Sequence, residues 1–85
     1  MSDELGKEVG VILHYYNHIQ VAVVRLLDTL KKGDRIRIKG HTTDFEQDVT
    51  SMQIEHNTIE TAEKGQEIGM KVNDKVREQD KVYKI

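Results

Sequence analysis

Four histidines, His14, His18, His41 and His56, are the side chains best suited to hold a metal. His14 and His18 stand four apart, a spacing that aligns two side chains on one helix face, but the stretch around them reads as strand and turn. The chain has no cysteine, so a zinc site would need every ligand brought together by folding. No metal centre and no cofactor are assigned. Ser2 and Ser51 are the only serines, and neither lies in a strand–turn–helix segment that would present a nucleophile. Asp44, Glu46 and Asp48 alternate along one side of a strand, the pattern of a solvated face rather than a catalytic pair. The chain is therefore expected not to be an enzyme.

Binding chemistry is better represented. Arg35, Arg37 and Lys39 fall on one face of a predicted strand, about 7 Å apart in steps of two residues. Tyr15 and Tyr16 lie in the polar stretch His14-Tyr15-Tyr16-Asn17-His18. Aromatic stacking beside basic side chains is how proteins grip a nucleic-acid strand. These five residues, Arg35, Arg37, Lys39, Tyr15 and Tyr16, are the candidate nucleic-acid site. The plainer alternative is that one tyrosine caps the core and the other is incidental. Acids on the neighbouring long strand could also pair with the basic row and neutralise it.

The elements that must position these residues are strands. Leu30 to Gly40 reads as a tight turn at Gly33-Asp34 feeding a strand, Arg35 to Lys39, with Ile36 and Ile38 on its apolar face. Before it come a strand from Glu8 to Tyr16 and a second from Gln20 to Leu26. Val9, Val11 and Leu13 share one face of the first. The second is apolar on both faces and so is expected to be central. A longer strand, Phe45 to His56, changes parity near Thr50-Ser51, which suggests a bulge. Asn57-Thr58-Ile59-Glu60 has the form of a capping box, predicting one short helical turn closed by Gly65. Strands over Glu67 to Val72 and Lys81 to Ile85 complete the chain. The expected inward set is Ile36, Ile38, Ile54, Ile68, Met70 and Val82.

Eighty-five residues make one domain with a small core. Residues 1–7 are expected to be a flexible lead-in and 8–85 the folded unit. No secretory signal or membrane span is visible, and the absence of cysteine suits a cytoplasmic setting. Charge is uneven. Lys31 to Lys39 carries five basic residues and one acid, while Asp44 to Glu67 carries seven acids and one lysine. The net charge of −2 argues against non-specific attraction to nucleic acid.

An internal echo organises the chain. Leu30-x-x-Gly33-Asp34-x-Ile36 recurs as Ala62-x-x-Gly65-Gln66-x-Ile68, and more weakly as Val76-x-x-Gln79-Asp80-x-Val82. Each is an apolar anchor, a polar turn and the first inward residue of a strand. Repeated corners suit a closed barrel. With Val9-Gly10-Val11, Val49 to Ile54, His56, Ile59 and Ile68-Gly69-Met70, these corners make the chain resemble the β-barrel second domain of translational GTPases. Elongation factor Tu and initiation factor two carry that domain. The resemblance runs from about Val9 to Ile85. It implies an all-β, closed six-stranded, Greek-key-like barrel and a docking role on RNA or the ribosome. Gln79 departs from the glycine usual there, so a different last turn is expected. No Gly-x-x-x-x-Gly-Lys-Ser/Thr occurs, so no nucleotide is expected. Similar barrels are also appended to peptidase-like proteins linked to RNA modification. The second expectation rests on the acidic stretch Asp44 to Glu67, a surface that would meet a basic partner: a protein-interaction module or accessory subunit that supplies its barrel to a separate enzyme.

Overall fold

The computed structural model describes residues 6–85. Ser2 and most of the expected lead-in lie outside the described residues, and Lys7 already belongs to the first strand. Among the described residues all regular structure is β: β1 (Lys7–Tyr16), β2 (Val21–Leu26), β3 (Leu30–Lys31), β4 (Arg35–Lys39), β5 (Asp44–Asp48), β6 (Met52–Ile54), β7 (Asn57–Ile59), β8 (Thr61–Ala62), β9 (Glu67–Lys71) and β10 (Lys81–Lys84). Eight of these form one sheet in the order β5-β4-β10-β1-β2-β9-β6-β7, and β3 pairs with β8 apart from it. Every paired neighbour in both sheets is antiparallel.

The echo in the sequence is a repeated corner in space. Gly33, Gly65 and Gln79 occupy equivalent positions with φ of 96°, 90° and 76°. In each corner the following polar side chain turns back onto a backbone N–H three residues earlier. Lys31 N–H donates to Asp34 Oδ2 at 2.9 Å, Glu63 N–H to Gln66 Oε1 at 2.7 Å, and Arg77 N–H to Asp80 Oδ2 at 2.8 Å. The reciprocal bonds, from the N–H of 34, 66 and 80 to the carbonyls of 31, 63 and 77, measure 3.0–3.2 Å. The anchors Leu30, Ala62 and Val76 and the strand openers Ile36, Ile68 and Val82 are all buried. Gln79 thus makes the same turn as the two glycines, not a different one, and holds a left-handed conformation that disfavours a Cβ.

The core lies on the inner face, built from Val9, Ile12, Val24, Leu26, Ile36, Ile38, Met52, Ile68, Met70 and Val82 among others. Ile54 of the expected inward set is only partly buried and packs against this core. β2 sits between β1 and β9, the interior position expected of it.

Four further expectations are corrected. First, no closed six-stranded barrel is found: β5 and β7 end the sheet, and no ladder joins them. Second, the long strand Phe45 to His56 is two strands with different partners. β5 pairs with β4, while β6 pairs with β7 and β9. The parity change near Thr50-Ser51 marks the crossing between them, not a bulge. Third, no helical turn follows Asn57. Asn57 closes a hairpin against Ile54, and Ala62 pairs with Leu30, so long-range pairing overrides the local capping signal. Fourth, the simple alternation in β1 fails. Register shifts between Glu8 and Gly10 and between Ile12 and His14 turn Val9 and Ile12 inward, with Tyr15 packed against the core.

Candidate functional site

The basic row does not stand free. In the β4–β5 ladder Arg35 faces Asp48, Arg37 faces Glu46 and Lys39 faces Asp44. Arg37 donates from Nε and Nη2 to the two oxygens of Asp44 at 2.8 and 2.9 Å, a forked pair reaching diagonally along the sheet. Lys39 adds a 3.4 Å bond to Asp44, and Arg35 pairs with Asp48 at 3.1 Å and Glu46 at 3.5 Å. The hydrogen bonds from Arg37, then those from Lys39, hold the Asp44 carboxyl at about 2, below its ordinary 3.8. Three cations therefore meet three carboxylates along this ladder.

The tyrosines are elsewhere. β10 and β1 separate β4 from β2, and Tyr15 and Tyr16 sit at the end of β1 that pairs with β2. Tyr15 points inward opposite buried Ala22, and Tyr16 points outward opposite Val21. The structure brings Arg35, Arg37 and Lys39 together but does not bring Tyr15 or Tyr16 to them. The Tyr16 ring stands edge-on to His14, with centroids 4.5 Å apart, and His14 Nδ1 lies 3.2 Å from Glu78 Oε2. Among the described residues no three metal-ligating side chains converge. Ser51 is exposed at the crossing between β5 and β6, where its carbonyl accepts a bond from Lys71 N–H at 3.3 Å.

What the outer face does assemble is an apolar cleft of about 360 Å³. Its floor crosses adjacent strands, with Val23 of β2 opposite Gly69 of β9, and Gly69 opposite Gln53 of β6. Gly69 contributes no side chain, so the floor stays open there. Val21 lines it, Tyr16 and Ile19 project at 49% and 58% exposure, and Glu55 and His56 form the opposite rim. Both rims hold strained backbone. Gln20 in the β1–β2 turn has φ of 56°, and Glu55 and His56 in the β6–β7 turn have 51° and 70°. A two-residue hairpin with both φ positive ordinarily takes Asn-Gly. Ile19, Val21, Val23, Gln53, Glu55, His56 and Gly69 were not legible as one site. The signal for them was the two-faced apolarity of Val21-Ala22-Val23-Val24, whose inner half fills the core and whose outer half paves this cleft. A second, polar cleft of about 300 Å³ lies between residues 42–45 and Asp74, Lys75 and Arg77.

With this geometry in view, the relatives bear on what the resemblance left open. An uncharacterized protease of Methanocaldococcus jannaschii is 46% identical over 77 residues, covering 89% of this chain and 19% of the protease. A collagenase of Porphyromonas gingivalis is 38% identical over 79 residues, covering 91% of this chain and 22% of the collagenase. The chain resembles part of a protease. It spans about a fifth of the length of the curated relatives it matches. No protein-family model matches it. The C-terminal domain of a Geobacillus thermoleovorans putative U32 peptidase superimposes with a TM-score of 0.88, covering 100% of this chain and 99% of that domain at 19% identity. Its selenomethionine variant gives 0.86, over 91% and 98% at 20% identity. The fold is that of this peptidase domain.

The translation-factor resemblance is thereby corrected, and docking on RNA or the ribosome goes with it. The corners that carried the resemblance describe how a small β domain turns, not which family it serves. Among the described residues no helix is long and apolar enough to cross a membrane.

Proposed function

We propose that the chain is a non-catalytic accessory domain that docks on the body of a U32-type peptidase, carried on the same polypeptide or on a separate one. The observation that carries this reading is the match in extent. The peptidase C-terminal domain is covered at 99% of its length, whereas the curated protease and collagenase are covered at 19–22%. Residues 8–85 then act as one unit whose outer surface does the work. The neutral charge ladder on β4 and β5 and the apolar cleft between the β1–β2 and β6–β7 turns both suit protein contact better than polyanion contact.

Two measurements test it. The isolated chain is incubated with gelatin and casein, and no cleavage is expected. A chimera is then built in which this chain replaces the matched 77 residues of the Methanocaldococcus jannaschii protease. Calorimetry of the chimera is expected to show the domain melting with the body, at a temperature different from that of the isolated chain. Cleavage by the isolated chain, or a domain that melts in the chimera as it does alone, overturns the reading.

A further inference from the structure

We propose that the cleft between the β1–β2 turn and the β6–β7 hairpin is the docking point itself, receiving an apolar side chain from the peptidase body. The inference rests on the function proposed above and names the surface and the chemistry of the contact.

Three observations converge on this cleft. The first is its composition. Elsewhere on the sheet the outward positions carry Arg25, Arg35, Arg37, Lys39, Asp44 and Asp48 with Val11 and Tyr83 set among them, whereas here Val21, Val23 and Gly69 adjoin one another across two strands. Tyr16 and Ile19 add two large apolar side chains about half exposed at its edge. Apolar residues left in a contiguous exposed group mark a contact surface, whereas single ones do not. The second is backbone strain. Of the four described non-glycine residues with positive φ, three (Gln20, Glu55 and His56) form the turns on either side of the cleft. Strained turns persist where surrounding structure or function holds them. The third is charge. Glu55 on the rim, like Glu60, Glu63 and Asp74 elsewhere, has no cationic partner among the described residues, so it is open to a cation brought by a partner.

The occupant follows from size and from the relatives. A cleft of about 360 Å³ has room for an apolar side chain. The matched relatives carry about four-fifths of their length outside the matched segment, which makes the rest of such a chain the partner nearest to hand. A loop of that body presenting a leucine-like side chain beside a lysine or arginine would fill the cleft and pair with Glu55.

Carbene footprinting of the same intact chimera tests this, with the isolated 85-residue chain as the reference. Tyr16 and Ile19 are expected to label at least fivefold less in the chimera. Ile19→Asp, a change at an exposed turn, is expected to restore labelling of Tyr16 there. Glu55→Lys is expected to restore it in part. Protection confined to other faces, with Tyr16 and Ile19 labelling equally in both proteins, overturns this inference and leaves the accessory-domain reading standing. No protection anywhere on the domain overturns both. Protection of Tyr16 in the isolated chain that grows with its concentration assigns the cleft to a second copy. Protection in the isolated chain on adding gelatin fragments assigns it to substrate. Either result overturns the peptidase body as occupant.

Discussion

Gln47 on β5 accepts a hydrogen bond from Asn73 N–H at 2.7 Å while its Nε2 donates to the Lys71 carbonyl at 2.9 Å. One buried side chain thus joins the edge strand β5 to the segment leaving β9 on the far side of the sheet, where no backbone ladder forms. Gln47→Leu keeps a similar volume and removes both of these bonds together with the 3.3 Å bond from Nε2 to the Asp48 carbonyl. It leaves a backbone donor and two carbonyl acceptors to find other partners, at a cost of about 1–3 kcal/mol. Urea denaturation is expected to show a lower midpoint with an unchanged slope. A loss under about 0.5 kcal/mol would mean that water replaces the bridge at no cost.

The third corner offers a stabilising change. Gln79 holds φ of 76° where the equivalent corners place Gly33 and Gly65. A left-handed residue with a Cβ costs roughly 1–2 kcal/mol, offset in part by the entropy glycine loses on folding. Gln79→Gly is therefore expected to stabilise by about 0.5–1 kcal/mol. Gly33→Ala is expected to destabilise through backbone strain alone, because nothing lies within 4 Å of a Cβ built there. A rise in melting temperature for Gly33→Ala would refute the strained-corner account.

The β6–β7 hairpin carries a similar cost at the cleft. His56→Gly removes the strain at φ of 70° and is expected to add about 0.5–1 kcal/mol, several degrees in melting temperature for a domain of this size. If the turn is retained for docking, the same substitution is expected to raise Tyr16 labelling in the chimera while stabilising the isolated chain. Stabilisation with unchanged labelling would assign the strain no part in docking.

Acid should loosen the charge ladder. The Asp44 carboxyl is held at about 2 by Arg37 and then Lys39, against an ordinary 3.8. A depressed folded-state value means that the stabilisation is present above the unfolded value and is lost as pH falls from about 4 to about 2. Asp44→Asn is expected to flatten the decline of melting temperature across that window, and added salt is expected to shrink the difference between the two proteins. Parallel declines for wild type and variant would show that the pair contributes nothing.

Ile38 is fully buried in β4, paired to Phe45 and Val82. Ile38→Ala is expected to cost about 2–5 kcal/mol through lost transfer energy and the cavity left behind. Retention of stability within about 0.5 kcal/mol on equilibrium denaturation would place Ile38 outside the core.

The β class, the alternation of Arg35 to Lys39, the interior position of β2 and the three corners are legible in the residues alone. Each of these is written within a dozen residues, because strand period, turn chemistry and the anchor-to-strand spacing are local properties. The same locality is why the corners misled about family: any small antiparallel domain that turns this way can carry them. The rest depended on contacts between distant segments. Whether Asn57 to Ala62 coils or pairs depended on Ile54 and Leu30 being available as partners. Whether the row Arg35, Arg37 and Lys39 was a free cationic face depended on the register that set Asp44, Glu46 and Asp48 beside it. The cleft joins Tyr16, Val23, Gln53 and Gly69, residues spread over more than half the chain, and only sheet order brings them together. Strand pairing is fixed by contacts distant in sequence, and a one-residue shift of register moves every side chain to the other face.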